Sequence, residues 1–558
     1  MFTRAQLDAE APIWILHLSY AGRSLIYGSE ALALADAAGL PLPAIPYLSA
    51  SAHEETLGLF EAEPRIPEIT VEVVPPHDLD LALLHRRGIE LVGSRAEWSC
   101  VYPGQTWDQR TRLLAGEVYS ATFGAAGESA TISIRGADVI DRGRLLDPTA
   151  RVNADTYPSA GASAEGAVYP LVFGQPGPYS HPDGTTGNTS GSPALLVESA
   201  RILIAGHATQ SGRDGSTVRI FASDDTSEAF TAEHTTDGLG RLVSTVDVSG
   251  AATLTVSGDL EYWTRWDNGG GLIAPDGGSA GRAGQLIRAL MRASSLRGNA
   301  AAITSAAIGL DRYQLAGYVN DPEASPLGWI LDNLIPLLPV SSAPTADGLA
   351  WISWPLDGGA ERAVADLQVG PDLQRVGRVQ IEGRDQILNA PTLEYALRAR
   401  TGAYQASATI SPIVRAPETA LTADEVEILG VTVPISSVAG YSIPSSPISE
   451  VRSGYAEISA GRYGIRAEST STDIVYESDT AVRILRDRVR IRAFTRTRIR
   501  YEAHPRYAHL RAGDVVTITD AEMHLADQIA TVAARRWAEG SVTLDLLLVS
   551  DPIRDAQP

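Results

Sequence analysis

The sequence predicts a mainly β, multidomain chain with α+β elements in its middle. Three observations carry that expectation. Short runs of alternating apolar and polar residues recur through most of the chain, punctuated by many of its 51 glycines and 33 prolines. Such runs read as strands joined by turns. Strong helix signals concentrate in residues 280–338. One stretch, residues 487–501 (DRVRIRAFTRTRIRY), holds a period of two throughout.

In that stretch Val489, Ile491, Ala493, Thr495, Thr497, Ile499 and Tyr501 occupy one parity. Arg488, Arg490, Arg492, Phe494, Arg496, Arg498 and Arg500 occupy the other. A helix would scatter these arginines, whereas a strand gathers them on one face. At roughly 3.3 Å per residue the strand would be about 50 Å long, a wall element or a bent strand shared by two sheets. Turns at Gly513-Asp514 and Glu539-Gly540 then set off 515–519, 528–534 and 542–549, so residues 487–550 read as one β module.

Toward the N-terminus, 13–18 and 25–27 form a hairpin about Ala21-Gly22-Arg23. Residues 66–74 alternate, with Ile69, Val71 and Val73 opposite Thr70 and Glu72, and Pro75-Pro76 ends the run. Further strands are expected at 88–92, 96–102, 111–115, 117–123 and 129–135, with a long excursion at 31–60. Residues 136–166 read as a linker, leading into loops around a strand at 168–173. Strand texture resumes at 194–197, 200–205, 217–221, 242–247 and 252–256.

Ser279 is the expected cap of a helix with the stripe Leu286, Ile287, Leu290 and Met291. Residues 299–308 suggest a second helix. Ser325 followed by Pro326 caps a third, with Trp329, Ile330, Leu334 and Leu337 behind it. Residues 349–356 read as a strand that places Trp351 and Trp354 on opposite faces. Strands follow at 393–399 and 403–410, then a Ser/Gly-rich connection at 440–480 and a short helix at 480–487. The resulting division is 1–150, 160–270 as an inserted or accessory β domain, 280–370 as a small mixed domain, 371–480 as a β-rich connection, and 481–558.

The 558 residues allow several domains and large cores. The net charge is -22, which argues against a dedicated nucleic-acid binder. No lysine occurs, and the coding bias of a GC-rich genome accounts for that without function. A single cysteine, Cys100, excludes an intrachain disulfide and a cysteine-built metal site. The first residues lack the pattern of a signal peptide, and no run reaches eighteen apolar residues. The expectation is a protein made in a reducing compartment, with no membrane span.

No catalytic constellation stands out, and no cofactor or metal is expected. Ser190 and Ser192 lack the strand-turn-helix setting that activates a serine. His207 with Asp214 is a common pairing without function. Asp224, Asp225 and Glu228 match no calcium-loop spacing. Asn188-Thr189-Ser190 fits a glycosylation acceptor, idle without secretion. Paired carboxylates for glycoside hydrolysis are separated in space, not in sequence, and stay open. Tyr262, Trp263 and Trp266 are core or subunit interface if buried and partner-anchoring if exposed. The arginine parity needs acid or solvent opposite it, because like charges along one strand repel. It can be met by acidic strands of the same chain, by a subunit interface, or by DNA. Arg488, Arg490, Arg492, Arg496, Arg498 and Arg500 are the candidate interface or channel-facing residues.

Two stretches, GQLIRALMRASS…DRYQLAGYVNDPEASPLGWILDNLIPLLPV…GLAWISWPL and RYAHLRAGDVVTITD…WAEGSVTLDLLLV, resemble the tail hub proteins of tailed bacteriophages and gene transfer agents. TRLLAGEVYSATFGAAGESATISIRG is similar to that family's first tube-type domain. The resemblance spans about two thirds of the chain and departs from the family at 160–270. It implies two tail-tube-like antiparallel β domains, to which the residues at 160–270 add the accessory β domain. It further implies a homotrimeric, non-enzymatic virion protein at the tail tip. Such a hub adapts a hexameric tube, or a distal tail protein, to tip, spike or fibre components. A tape measure protein is a further neighbour, and DNA is met only in transit. On this reading residues 489–501 must lie extended as part of a ring wall. The alternatives are a distal tail or fibre-anchoring protein, a carbohydrate-binding or carbohydrate-active multidomain protein, and a DNA-contacting ejection factor.

Overall fold

In the computed structural model of the chain, the described residues are 12–30, 32–36, 41–56, 68–76, 83, 86–102, 104–124, 129–136, 141–272, 280–296, 298, 300–345, 348–353, 363–411, 425–428, 431–434, 450–452, 454–538 and 541–548. The expected Ser279 cap, Trp354 and most of 412–449 lie outside them.

The first nine strands are β1 Ile13–Tyr20, β2 Arg23–Gly28, β3 Leu32–Ala35, β4 Pro41–Ala50, β5 His53–Thr56, β6 Glu68–Val73, β7 Arg95–Val101, β8 Thr111–Phe123 and β9 Ala130–Gly136. Ala21 and Gly22 link β1 to β2 with φ of 50° and 76°, the left-handed pair that a two-residue hairpin requires. Eight strands order as β2-β1-β7-β8-β9-β6-β4-β3. A parallel contact of Tyr27 and Gly28 with Ile45 and Pro46 curls the sheet back on itself. Ile69, Val71 and Val73 are buried, as their alternation requires. Residues 31–60, expected as an excursion, contribute β3, β4 and β5. The two strands expected at 111–123 are one, bulged between Val118 and Ser120. Residues 88–92 form no strand.

Three short strands follow, β10 Leu171–Phe173, β11 Pro178–Ser180 and β12 Thr186–Asn188. The chain then enters a closed barrel made of β13 Ser192–Glu198, β14 Arg201–Ala205, β15 Thr217–Ala222, β16 Ser227–Thr236, β17 Leu242–Asp247 and β18 Tyr262–Trp266. Ile202, Val218, Ile220, Val246 and Trp266 fill its interior. The sequence signal missed β16, whose half-exposed polar residues hide its alternation. Residues 252–256, expected as a strand, are a loop held by Glu228. One short helix, α1 Gln210–Asp214, joins β14 to β15 and contacts β16.

Helices α2 Ala283–Leu290, α3 Ala300–Leu310 and α4 Pro326–Asn333 follow. The expected stripe of Leu286, Ile287, Leu290 and Met291 is buried. Ser325 Oγ accepts the Gly328 amide at 3.1 Å with Pro326 at the first helical position, as its sequence implies. Strands β19 Gly317–Val319, β20 Val340–Thr345 and β21 Gly348–Ser353 surround them.

The remaining strands build two sheets and a hairpin. β22 Ala365–Gln368, β23 Leu373–Arg375, β24 Gln380–Ile381, β31 Thr497–Ala503, β32 Val515–Asp520, β33 Leu525–Ala538 and β34 Ser541–Leu548 form one sheet, to which β5 adds itself along β33. β25 Ala390–Arg398, β26 Ala403–Ser411, β29 Glu450–Arg452 and β30 Ala467–Ser471 form the second. Helices α5 Gly454–Tyr463 and α6 Ser478–Arg492 belong to the same region, and α6 packs on β25 and β26. β27 Glu425–Ile428 and β28 Val431–Pro434 pair as the hairpin. None of the described helices is long and apolar enough to cross a membrane.

The continuous strand expected at 487–501 is not formed. Residues through Arg492 complete α6, a short connection follows, and only Thr497–Ala503 is extended. The cause is burial. Val482, Leu485 and Val489 are buried at helical spacing, and Ile484, Asp487, Arg488 and Ile491 are buried as well. A helix enclosed on most sides shows little amphipathic period, so the local alternation misleads. A long strand serving two modules does exist, but it is β33. Its first half pairs with β32, and residues 534–537 lie between β34 and β5.

Candidate functional site

The candidate arginines divide between two elements. Arg488, Arg490 and Arg492 lie on α6, Arg496 lies in the connection, and Arg498 and Arg500 lie on β31. Arg488 is buried; one Nη pairs with Glu468 and the other donates to Thr470 Oγ1 at 3.1 Å. Arg492 reaches the second oxygen of Glu468 at 3.1 Å and donates to the Gln386 carbonyl. Buried Arg496 pairs with Glu382. Burial pulls the Arg488 and Arg496 guanidiniums below the ordinary arginine value, and Glu468 and Glu382 oppose it. Arg490 lies over the Tyr455 ring at 5.6 Å. Arg500, itself exposed, forms a two-pronged bridge with buried Asp545, at 2.6 and 2.8 Å. No single face therefore presents these charges together.

The aromatic trio also separates. Tyr262 and Trp266 are barrel core, and Trp266 Nε1 donates to Ser192 Oγ at 3.1 Å. Their burial removes them as partner anchors. Trp263 is half-buried beneath the Arg400 guanidinium, 5.8 Å from its ring centre. Arg400 also pairs with Asp225 and donates to the Ser223 carbonyl at 2.8 Å, clamping the barrel to the β25–β26 turn.

The remaining polar candidates are occupied by structure. Ser190 Oγ accepts the Arg400 amide at 3.2 Å, and Ser192 Oγ bonds Thr264. His207 Nε2 accepts the Val172 amide at 3.1 Å, and burial pushes its pKa down. Asp214 pairs with neighbouring Arg213. Asp224 caps Thr226, and Glu228 accepts the amides of Ala252, Thr253 and Leu254. Among the described residues no group of three or more His, Cys, Asp or Glu side chains is placed to hold a metal ion.

Sequence reasoning missed an arrangement that lies between the two terminal β modules. One hydrophobic core contains Trp14, Tyr27, Val71, Trp98 and Ile132 from the first module. It also contains Leu367, Tyr501, Val516, Trp537 and Leu546 from the last. Trp537 contacts Trp98 with ring centroids 5.1 Å apart. β5 pairs antiparallel with β33 through Glu55 and Arg535 among others. Fully buried Arg535 bridges Glu55 at 3.3 Å and donates to the Ala508 carbonyl at 2.9 Å. Arg511 donates to the Arg112 carbonyl, and Tyr102 OH donates to the Arg506 carbonyl at 2.9 Å. The available signal was a charged residue inside an apolar strand, AARRWA, for which burial demands a partner.

Two open clefts adjoin at the end of α4. One, of about 390 Å³, is lined by Asp321, Glu323 and Trp329 among others. The second, of about 500 Å³, is lined by residues of β30, α6 and Tyr404. They share Asp332 and Asn333.

No protein-family model matches the chain, and no curated protein matches it. Solved structures similar to it include the 43 kDa tail protein of prophage MuSo2 from Shewanella oneidensis. That alignment has 11% identity, 97% of this chain, 98% of that chain and a TM-score of 0.36. A tail protein from Neisseria meningitidis MC58 aligns at 9% identity over 98% of this chain and 99% of that one, with a TM-score of 0.34. A chain of the virion of a native gene transfer agent particle aligns at 12% identity over 76% and 91%, with a TM-score of 0.33.

Proposed function

We propose that the chain is a structural, non-enzymatic virion protein, the homotrimeric hub of a phage-like tail tip. The observation that carries this reading is the union of the first and last β modules through one core and one inter-module strand pairing. A subunit whose two β modules are locked side by side supplies two adjacent segments of a ring, so three copies supply six. The stretches that resemble the hub family lie on strands of these two modules. RYAHLRAGDVVTITD leads into β32, WAEGSVTLDLLLV includes the end of β33 and all of β34, and TRLLAGEVYSATF is β8. The extended arginine wall no longer supports the reading, since the segment is helical through Arg492 and extended only from Thr497. Tip, spike or fibre proteins below and tube or distal tail proteins above are the partners this role requires, with DNA passing through the ring.

Light scattering at several concentrations tests the proposal. The expected mass is three times the 59.1 kDa chain. A monomer that persists at high concentration overturns it, and a hexamer favours the distal tail or fibre-anchoring alternative instead.

A further inference from the structure

Among the described residues the second sheet ends in an unpaired edge beside the larger cleft. Its strand order is β29-β26-β25-β30, and among the described residues β30 has β25 as its sole strand neighbour. The free side can be read from the hydrogen bonds. The Arg466 carbonyl accepts the Ala390 amide, and the Thr472 amide donates to the Glu394 carbonyl. In a parallel ladder the bonded residues of one strand alternate, so even-numbered positions face β25. The backbone groups of Ala467, Ser469 and Ser471 therefore point away from the sheet, and all three residues are exposed. The edge carries no proline or outward charge of the kind that blocks strand addition. Its single charge, Glu468, turns inward to Arg488 and Arg492.

The cleft gives an added strand somewhere to put its side chains. It is bounded by the β30 edge, by Arg488 and Arg492 of α6, and by Asp332 at the end of α4. Its residues and those of the adjoining cleft include five carboxylates, Asp321, Glu323, Asp332, Glu468 and Asp473, against two arginines, and Glu323 is met from outside the lining by Arg144. Both arginines are engaged by Glu468. Asp332 and Asp473 are exposed where the clefts meet and beyond the end of β30. The main-chain edge selects an extended segment, and the surplus of negative charge selects basic side chains on it.

From this geometry we infer that the edge of β30 is a docking site for an extended, arginine- or lysine-bearing segment of a partner protein. The segment adds as a strand along Ala467–Ser471, and its basic side chains reach Asp332 and Asp473. The inference does not depend on the oligomeric role proposed above.

The test uses the full-length chain and a fluorescein-labelled ten-residue peptide alternating arginine with threonine. Two further peptides serve as controls: a glutamate-threonine counterpart, and an arginine peptide N-methylated on alternate amides. Fluorescence anisotropy should show saturable binding of the first peptide and none of the others. Ser469→Pro removes an amide that is not bonded to β25, so the far-UV spectrum and melting temperature should hold. Peptide affinity should nevertheless fall by about tenfold or more. Asp332→Asn with Asp473→Asn should weaken binding several-fold. Equal binding of the methylated or glutamate peptide, or affinity unchanged in the Ser469→Pro protein, would overturn the inference. A change of oligomeric mass on Ser469→Pro would also overturn it, by assigning the edge to a second copy of this chain.

Discussion

Trp14 and Trp537, from opposite ends of the chain, meet with ring centroids 4.0 Å apart inside one core. Trp98 completes the cluster, 6.3 Å from Trp14 and 5.1 Å from Trp537. Trp537→Ala leaves a cavity that neither module can close alone, and should cost about 3–5 kcal/mol. Denaturant titration followed by tryptophan fluorescence checks this. A loss under about 1 kcal/mol would mean that the two modules do not depend on their shared interior.

The buried Glu55–Arg535 bridge makes a sharper prediction. Arg535→Ala removes the contacts to Glu55 and to the Ala508 carbonyl, and Glu55→Ala takes the carboxylate from fully buried Arg535; each should cost about 3–5 kcal/mol. The double replacement Glu55→Leu with Arg535→Met should recover much of that loss, because it removes both desolvated charges together. Thermal melts of the three variants decide it; additive losses in the double variant would contradict the assignment.

Acidity should act on the same junction through Asp514. Burial lifts its carboxyl above the ordinary 3.8, against hydrogen bonding and attraction from Arg511, while Glu55 adds to the rise. The fold therefore binds this proton more tightly than the unfolded chain does. The associated stability is full below the unfolded value and is lost as pH rises through the folded one. Asp514→Asn should remove that decline. Denaturation midpoints measured from about pH 4 to about pH 7 should show the variant gaining on the wild type with rising pH. A constant difference would place the carboxyl at its ordinary value.

Arg488 and Glu468 form an unequal pair for mutation. Glu468→Ala strands a buried guanidinium, whereas Arg488→Met replaces its stem with apolar contact. Glu468→Ala should destabilise by about 3 kcal/mol or more and Arg488→Met by less. The reverse order in chemical denaturation would show that Arg488 is held mainly by something other than Glu468.

Releasing the barrel clamp should loosen docking and leave the barrel folded. Arg400→Ala removes the contacts to Asp225, Ser223 and Trp263 at once. A local cost of about 1–2 kcal/mol is expected. Hydrogen exchange should quicken around residues 398–402 and 223–226. Strands β14 and β17, on the other side of the barrel, should keep their protection.

Much of this fold can be read from local signals. The Ser325-Pro326 cap, the Ala21-Gly22 hairpin, and the alternation of Ile69, Val71 and Val73 each state a backbone geometry within a few residues. Residues 487–501 mislead for a physical reason. Arginine favours helix and can bury its stem, so Arg488 sits on a packed helical face without announcing it. A window opening at Asp487 also cuts α6 in two and hides the earlier turns marked by Val482 and Leu485. The module junction was illegible because it pairs His53–Thr56 with a strand near the other end of the chain. No periodicity records such a pairing. The candidate arginines were found, but their partners Glu468, Glu382 and Asp545 lie on other elements and only the fold brings them near.

The stitch between β5 and β33 also bears on synthesis. A ribosome releases residues 53–56 long before 525–538, so the first module waits with Trp14 and Trp98 lacking the lid that Trp537 provides. Folding of this chain is thus governed by late, long-range closure, which is slow and leaves nascent chains open to aggregation. Production at reduced temperature or with holding chaperones should raise the soluble yield, and truncations that stop before Leu525 should be insoluble.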